Sequence, residues 1–264
     1  MPAMRVIDIH VHAFPDAIAA KAMPAMAQNA NVTPTYDGTV AGLLAAMDRG
    51  GVEKSCIQPV ATRPESVASM NDWAARVASE RIAAFGAMHP ALAEPAAEIA
   101  RIATLGLRGF KLHPEFQAFH PDEERLRPVY EAAIEHDLAV FFHAGLDLAI
   151  PTEHSDPHCF ARVLDDYPEL KLILGHMGGW KQWDDVAEVL CGRELFLETS
   201  YTLPYTGPGV FLDLIRSHGA DRVVFGSDGP WADAGAAAQA IAELQLRDDE
   251  LQAIFWDNAA ELLG

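Results

Sequence analysis

Four short motifs place histidine or aspartate where apolar stretches end, as a metal site requires. They are Asp8-Ile-His-Val-His12, Phe142-His-Ala-Gly145, Leu174-Gly-His-Met-Gly-Gly179 and Phe225-Gly-Ser-Asp-Gly-Pro230. Side chains alternate along a strand, so His10 and His12 project to the same side. Neutral imidazole nitrogens with one carboxylate suit Zn²⁺ and also accept Mn²⁺ or Fe²⁺. We expect one divalent metal ion, preferably zinc, and its predicted ligands are His10, His12, His143 and Asp228.

Two residues of these motifs are candidates for moving protons. His176 is either a further ligand or a free acid/base, and we favour the free role because a metal-bound water needs a proton carrier nearby. Asp228 can combine weak ligation with accepting a proton from the attacking water. The alternative for Asp228 is a cap on the turn after its strand. We predict His176 and Asp228 as the catalytic residues.

Lys111 lies inside the apolar stretch 107–112 and invites three interpretations. An unpaired ammonium is costly to bury, so it should reach the site. There it binds a substrate carboxylate or, as a carbamate, bridges a second metal. The third interpretation is a salt bridge to an acid such as Glu115 or Asp8.

Other side chains near the motifs are candidates for contacting a substrate. Arg63 is an anion anchor or a solvated loop residue, while His89 and His113 line the pocket or cap a loop. Aromatic residues after the last three strands either wall a pocket for a planar substrate or pack as rim. The predicted substrate-binding residues are Lys111, Arg63, His113, Trp180 and Trp231.

Eight short apolar stretches must position these residues, and the segments between them mostly carry helical periodicity. The stretches are 5–11, 53–60, 82–88, 107–112, 139–142, 170–174, 195–198 and 222–226. Most are continuously apolar, which is typical of parallel strands buried on both faces. Eight βα units in 264 residues predict an α/β protein, a (β/α)8 TIM barrel in one domain over residues 1–264. The strands' carboxyl ends then converge on one site.

An open doubly wound sheet is the alternative fold, but no Gly-rich phosphate turn follows the first strand. Two long connections, 13–39 and 144–158, are candidates for a flap with a short helix or for plain surface excursions.

Composition narrows the function classes. With 19 Lys+Arg against 38 Asp+Glu the net charge is −19, which disfavours nucleic-acid binding. The sequence shows neither a membrane span nor a signal peptide, so we expect a cytoplasmic protein without a membrane partner. Three cysteines without CxxC spacing suggest neither disulfides nor a thiolate site. The expected partner is a small-molecule substrate, with a homodimer possible.

The motifs as a set resemble the amidohydrolase superfamily, and they lie between residues 5 and about 258. The closest likeness is to the amidohydrolase-related branch that includes aminocarboxymuconate-semialdehyde decarboxylase, resorcylate decarboxylases and metal-dependent hydrolases. The resemblance implies that His10, His12, His143 and Asp228 bind the metal and that His176 is the acid/base. Lys111 occupies the strand that carries a carbamylated lysine in two-metal members, although many members of this branch use one metal.

Hydrolysis is the first functional hypothesis. A metal-activated water would attack an ester, lactone or amide of a small carboxylate-bearing substrate. The chain is shorter than typical decarboxylases of the branch, which favours this reaction. The alternative is metal-dependent non-oxidative decarboxylation of an unsaturated or aromatic acid. A third hypothesis, an inactive barrel serving as a scaffold, is disfavoured because all four ligands are present.

Overall fold

Short parallel strands alternate with helices through residues 4–264, the part of the chain that this computed structural model describes. The strands are β1 (Ile7–Val11), β2 (Lys54–Ile57), β3 (Ile82–Ala84), β4 (Gly86–Ala87), β5 (Gly109–Leu112), β6 (Ala139–Phe142), β7 (Leu172–Leu174), β8 (Phe196–Glu198) and β9 (Val223–Val224). The helices are α1 (Asp16–Ala30), α2 (Val40–Gly50), α3 (Val67–Val77), α4 (Pro95–Thr104), α5 (Pro114–Gln117), α6 (Arg127–Glu135), α7 (Pro157–Asp166), α8 (Trp183–Val189), α9 (Leu203–His218), α10 (Ala234–Ala242), α11 (Asp248–Gln252) and α12 (Asn258–Leu263).

The nine strands follow one another in chain order as two parallel ladders, β1-β2-β3 and β4 through β9. Strands β3 and β4 are two halves of one predicted strand, separated only by the buried Phe85. The first half pairs with β2 and the second with β5. All eight strands expected from the sequence are therefore present.

Backbone hydrogen bonds also join the first strand to the segment that continues the last. The Ile9 N–H donates to the Phe225 carbonyl over 2.9 Å, and the Asp228 N–H donates to the His10 carbonyl over 2.8 Å. A parallel bridge pairs Val11 with Gly229. The strands thus form a cycle, as a (β/α)8 barrel requires.

Local chemistry explains where several helices begin. Thr39 accepts the Gly42 N–H at the start of α2, and Asp233 accepts the Ala236 N–H at the start of α10. Asp156 caps the start of helix α7 by accepting two backbone N–H groups. Proline follows it at the first helical position.

Alternate residues of the strands enter two different apolar clusters. Phe110 and Phe142 belong to a large cluster that also holds helix residues such as Ile102, so this core lies between strands and helices. Phe141 and Ile173 belong to a second cluster drawn mainly from the strands. Strands buried on both faces give this partition.

The two long connections differ from each other. Residues 13–39 contain α1, a helix of 15 residues, whereas residues 144–158 are largely irregular before α7. No helix within the described residues 4–264 is long and apolar enough to cross a membrane.

Candidate active site

Three of the four predicted ligands form a compact group at the carboxyl end of the strands. His12 Nε2 lies 2.9 Å from Asp228 Oδ1, and His10 Nε2 lies 3.4 Å from the same oxygen. One ligand atom from each residue lies within 4.8 Å of the others. His10 is buried on strand β1, while the His12 and Asp228 side chains keep 14% and 15% of their surface exposed. The group is therefore open to a substrate on one side.

The other nitrogen of each histidine is held by an acceptor, which fits these rings for metal binding. His10 Nδ1 lies 2.9 Å from Glu198 Oε2, and His12 Nδ1 lies 2.9 Å from the Gln58 carbonyl oxygen. Since both acceptors require Nδ1–H, the Nε2 lone pairs face Asp228. The donor set can therefore hold a divalent cation.

His143, the fourth predicted ligand, lies outside this group and contacts His176 instead. His143 Nδ1 is 3.0 Å from His176 Nε2, and His143 Nε2 is 3.1 Å from the Leu146 carbonyl oxygen. His176 Nδ1 is in turn 2.9 Å from Ser200 Oγ. Both ring nitrogens of His143 are thus engaged, so ligation by His143 would require breaking one of these hydrogen bonds.

A second group combines His143 with His113 and Asp147. The Nε2 atoms of His113 and His143 lie 3.7 and 3.9 Å from Asp147 Oδ2. The two rings are stacked, with centroids 4.2 Å apart and planes 8° from parallel. Lone pairs of parallel stacked rings do not converge on one point, so this arrangement favours a wall of stacked rings beside a carboxylate over a second metal site.

Burial depresses the pKa values of these imidazoles. Loss of solvent lowers the pKa of His143 and of His176 to about 3, and it also lowers the pKa of His10 and His113. Neutral rings are the form that binds metal and accepts protons.

Lys111 points into the same site from strand β5. Its Nζ lies 3.4 Å from His10 Nε2 and 3.9 Å from the centre of the Phe141 ring, and the residue is 1% exposed. The acids considered as salt-bridge partners are engaged elsewhere, Glu115 with residues 152–155 and Asp8 with Ser227. Burial lowers the Lys111 pKa. The ammonium therefore faces the group formed by His10, His12 and Asp228.

Backbone strain collects around this site. His176 has a φ of 58°, Tyr201 of 52° and Asp228 of 62°, in the left-handed region that costs a non-glycine residue about 1 kcal/mol or more. Such conformations persist where the surrounding structure imposes them, typically at functional sites.

A cavity adjoins the loop that carries Leu146 and Asp147, the two residues that contact His143. Its volume is about 370 Å³, and it lies between the 146–153 loop and Trp180 with Lys181. Trp180 packs edge-on against Tyr205 at 5.4 Å, and Tyr205 stacks on Tyr201 at 6.2 Å. Of these three rings, Trp180 lines the cavity, and Tyr201 faces His176 with ring centroids 6.4 Å apart.

The remaining predicted substrate residues are more peripheral. Arg63 is exposed in the loop after β2 and its carbonyl group accepts bonds from Ser66. Trp231 is half-buried, and its carbonyl accepts the Tyr201 hydroxyl over 2.8 Å. His89 caps a loop by accepting the Ala91 N–H.

Sequence reasoning did not single out Glu198, Gln58, Ser200 or Asp147. Glu198 offered a signal, since a carboxylate at the end of an apolar strand is costly to bury without a role. Gln58 acts through its backbone carbonyl, which no side-chain pattern reveals.

With this geometry in place, the sequence profile of the Amidohydrolase family matches residues 7–264. The chain belongs to the amidohydrolase family. The resemblance carried by the motifs is thereby confirmed, and as a member of the amidohydrolase family the protein is an enzyme. Among curated proteins, none matches the chain in sequence.

Solved structures confirm the TIM-barrel fold of this amidohydrolase. An uncharacterised TIM-barrel protein from Bordetella bronchiseptica is 23% identical, with a TM-score of 0.80 over 98% of each chain. The 5-carboxyvanillate decarboxylase of Novosphingobium aromaticivorans, with bound manganese and 3-methoxy-4-hydroxy-5-nitrobenzoic acid, is 16% identical, with a TM-score of 0.75 over 99% of this chain and 97% of that one. The 2,6-dihydroxybenzoate decarboxylase from Rhizobium is 18% identical, with a TM-score of 0.72 over 98% of each chain.

Proposed function

We propose that the protein is a metal-dependent, non-oxidative decarboxylase of an aromatic or unsaturated carboxylic acid. The observation that carries the proposal is its end-to-end likeness to two decarboxylases of aromatic acids, of which it spans 97% and 98%. The length argument that favoured hydrolysis loses its force, because this chain spans nearly the whole of both. The decarboxylase alternative thus becomes the preferred function.

The site suits a planar carboxylic acid. The buried Lys111 ammonium beside His10 attracts a carboxylate in a region of low dielectric. Tyr201 lies edge-on to His176 with ring centroids 6.4 Å apart, and Trp180 lines the neighbouring cavity, so both offer aromatic surface to a planar molecule.

The proposed ligands of the ion are His10, His12 and Asp228, with His143 as the predicted fourth. When bound, a divalent cation supplies Lewis-acid polarisation and orientation of a substrate oxygen and carboxylate. We prefer zinc from the donor set, and manganese is the ion bound by the Novosphingobium aromaticivorans relative.

The chain's own residues handle the proton that the reaction needs. The bond between the α-carbon and the carboxyl carbon breaks, its electron pair stays on the α-carbon, and that carbon takes one proton as CO₂ leaves. His176, linked to His143 on one nitrogen and Ser200 on the other, is the proposed proton carrier. The reaction is redox-neutral and consumes no water.

Hydrolysis remains the second candidate, favoured by the position of Asp228. Its Oδ1 atom faces both His10 Nε2 and His12 Nε2, and the side chain is still 15% exposed. That is the position a general base needs to accept a proton from an attacking water.

Isotope labelling separates the two reactions. We would incubate the zinc- or manganese-loaded enzyme in D₂O with 2,6-dihydroxybenzoate, 5-carboxyvanillate and related acids, and in H₂¹⁸O with aryl esters and lactones. We expect CO₂ release and one deuteron on the product carbon. Incorporation of ¹⁸O into a new carboxylate, without CO₂, would instead establish hydrolysis.

A matched pair of histidine variants tests the residue assignment. His176→Asn should lower turnover by about 100-fold or more, as loss of a positioned acid/base does. His158→Asn, at an exposed position of α7, should leave turnover unchanged. Equal turnover in both variants would contradict the role of His176.

A further inference from the structure

Glu198 is a fully buried carboxylate that joins three strands around the candidate metal site. It ends strand β8 and is 0% exposed. Its Oε2 atom accepts from His10 Nδ1 at 2.9 Å, from Ser200 Oγ at 2.8 Å and from the His176 backbone N–H at 3.3 Å. Its Oε1 atom accepts the Ser200 backbone N–H at 2.5 Å. Both carboxylate oxygens therefore accept hydrogen bonds.

We propose that Glu198 is a positioning residue that fixes the tautomer and ring orientation of His10 for metal binding. The Nδ1–H of His10 is directed to Glu198, which leaves the Nε2 lone pair facing Asp228. A carboxylate in this place also makes the imidazole a stronger donor. The proposal rests on the metal role proposed for His10, but not on which reaction the enzyme catalyses.

Only a carboxylate satisfies this environment. Each oxygen of Glu198 accepts a backbone N–H, one from Ser200 and one from His176. A glutamine amide has one oxygen and one NH₂ group, so in either orientation the NH₂ group faces a backbone N–H. With the NH₂ group on the His10 side, His10 would also have to present Nδ1 as acceptor and move its proton to Nε2.

Gly226 provides the space that Glu198 occupies. A Cβ atom at position 226 would lie 2.2 Å from Glu198 Oε1 and 2.8 Å from His10 Cβ. Gly226→Ala therefore pushes on both the Glu198 carboxylate and His10, and it keeps the charge of Glu198. It offers a second way to break the same contact.

Metal affinity and His10 tautomer are the measurements that test this role. We would titrate Zn²⁺ and Mn²⁺ into metal-free Glu198→Gln and Gly226→Ala in competition with a chromophoric chelator. Loss of an outer hydrogen-bond partner should weaken binding by about 10- to 100-fold in both variants. Long-range ¹H–¹⁵N spectra should show His10 as Nδ1–H in the wild type and partly as Nε2–H in Glu198→Gln.

Glu98→Gln is the matched control, because Glu98 is also a multiply bonded carboxylate, held by Asn71 and Arg101 on the outer helices. It contacts neither His10 nor the loop beside His143, so metal affinity should stay within twofold of the wild type. An equal loss in this control would overturn the proposal. Wild-type metal affinity in Glu198→Gln would also overturn it. If Glu198→Gln does not fold, wild-type metal affinity in Gly226→Ala would overturn it instead. A wild-type protein that binds no metal would contradict the proposed function itself.

Discussion

At the scale of single residues, Lys111 is the side chain whose position is hardest to explain by stability. Its ammonium is 1% exposed, and its contacts are a histidine nitrogen and the face of Phe141. A buried cation without a carboxylate partner normally destabilises the fold. The position is understandable if an anionic substrate group completes the pairing.

Lys111→Met should therefore separate stability from function. Met fills a similar volume without a charge, so the free energy of unfolding of the metal-free protein should be unchanged or rise by up to about 2 kcal/mol. Turnover should fall by about 100-fold or more, because truncating a buried charge contact to a ligand costs about 3 kcal/mol. Urea unfolding and steady-state kinetics on the same preparations measure both effects. A large loss of stability would contradict this account.

The lowered pKa of Lys111 predicts that the stability difference between the wild type and Lys111→Met depends on pH. Burial lowers the pKa of Lys111 in the folded protein, whereas the unfolded chain keeps its proton up to pH about 10.4. Between these two pKa values the unfolded state binds more protons, so wild-type stability rises with pH relative to Lys111→Met. The stability gap between the two proteins should be largest below the folded pKa and close as the pH approaches 10. Unfolding curves at pH 6, 8 and 9.5 test this.

The sequence predicted the core of the site because its residues follow strand ends. His10, His12 and Asp228 lie together since parallel strands converge at their carboxyl ends, whatever the details of the loops. The partners of His143 depend on ring rotation and on the Leu146 carbonyl, neither of which has a sequence signal. Glu198 was overlooked because it is a strand residue whose partners come from strands far apart in sequence.

At the scale of elements, a buried carboxylate holds the irregular loop that borders the cavity. Glu115, in the short helix α5, accepts the His154 N–H at 2.7 Å, the Thr152 hydroxyl at 2.6 Å and His154 Nδ1 at 2.9 Å. The loop supplies Leu146 and Asp147, which contact His143. Glu115 thus connects the order of this loop to the shape of the neighbouring cavity.

Glu115→Ala should loosen this loop selectively. The lost hydrogen bonds leave buried donors unpaired, which should reduce the free energy of unfolding by about 1–3 kcal/mol. Limited proteolysis should cut between residues 146 and 155 several times faster than in the wild type. Glu98→Ala, which loses bonds to Asn71 and Arg101, is the control and should destabilise without exposing this loop. Equal cleavage in the two variants would contradict the role of Glu115 in holding this loop.

Strands were easier to predict than helices, and the reasons are local. Most of the buried strands are nearly continuous apolar runs, as burial on both faces of a parallel sheet requires. The connection 13–39 was expected to hold either a short helix or a plain surface excursion. Helix α1 follows Pro15, contains Pro24 and buries only Ala19 and Met23. Its sequence therefore lacks the wide apolar stripe that reveals an amphipathic helix.

At the scale of the whole molecule, the ion should stabilise the barrel. The proposed ligands come from β1 and from the segment after β9, so the folded chain binds metal and the unfolded chain binds it poorly. At a free metal concentration 100 times the Kd, stabilisation is about 2.7 kcal/mol. Differential scanning calorimetry should show a Tm rise of several degrees with Zn²⁺ or Mn²⁺. His12→Ala should abolish the rise, and an equal shift in that variant would disprove site-specific binding.

Because the barrel closes between its first and last strands, the proposed metal site can form only after both have been synthesised. His10 and His12 leave the ribosome about 216 residues before Asp228, and Asp228 N–H bonds directly to the His10 carbonyl. A nascent chain therefore carries only part of the proposed metal site until Asp228 has been added. Loading of the proposed site with metal must wait until the segment after β9 has paired with β1, and products truncated before Asp228 lack one of the proposed ligands.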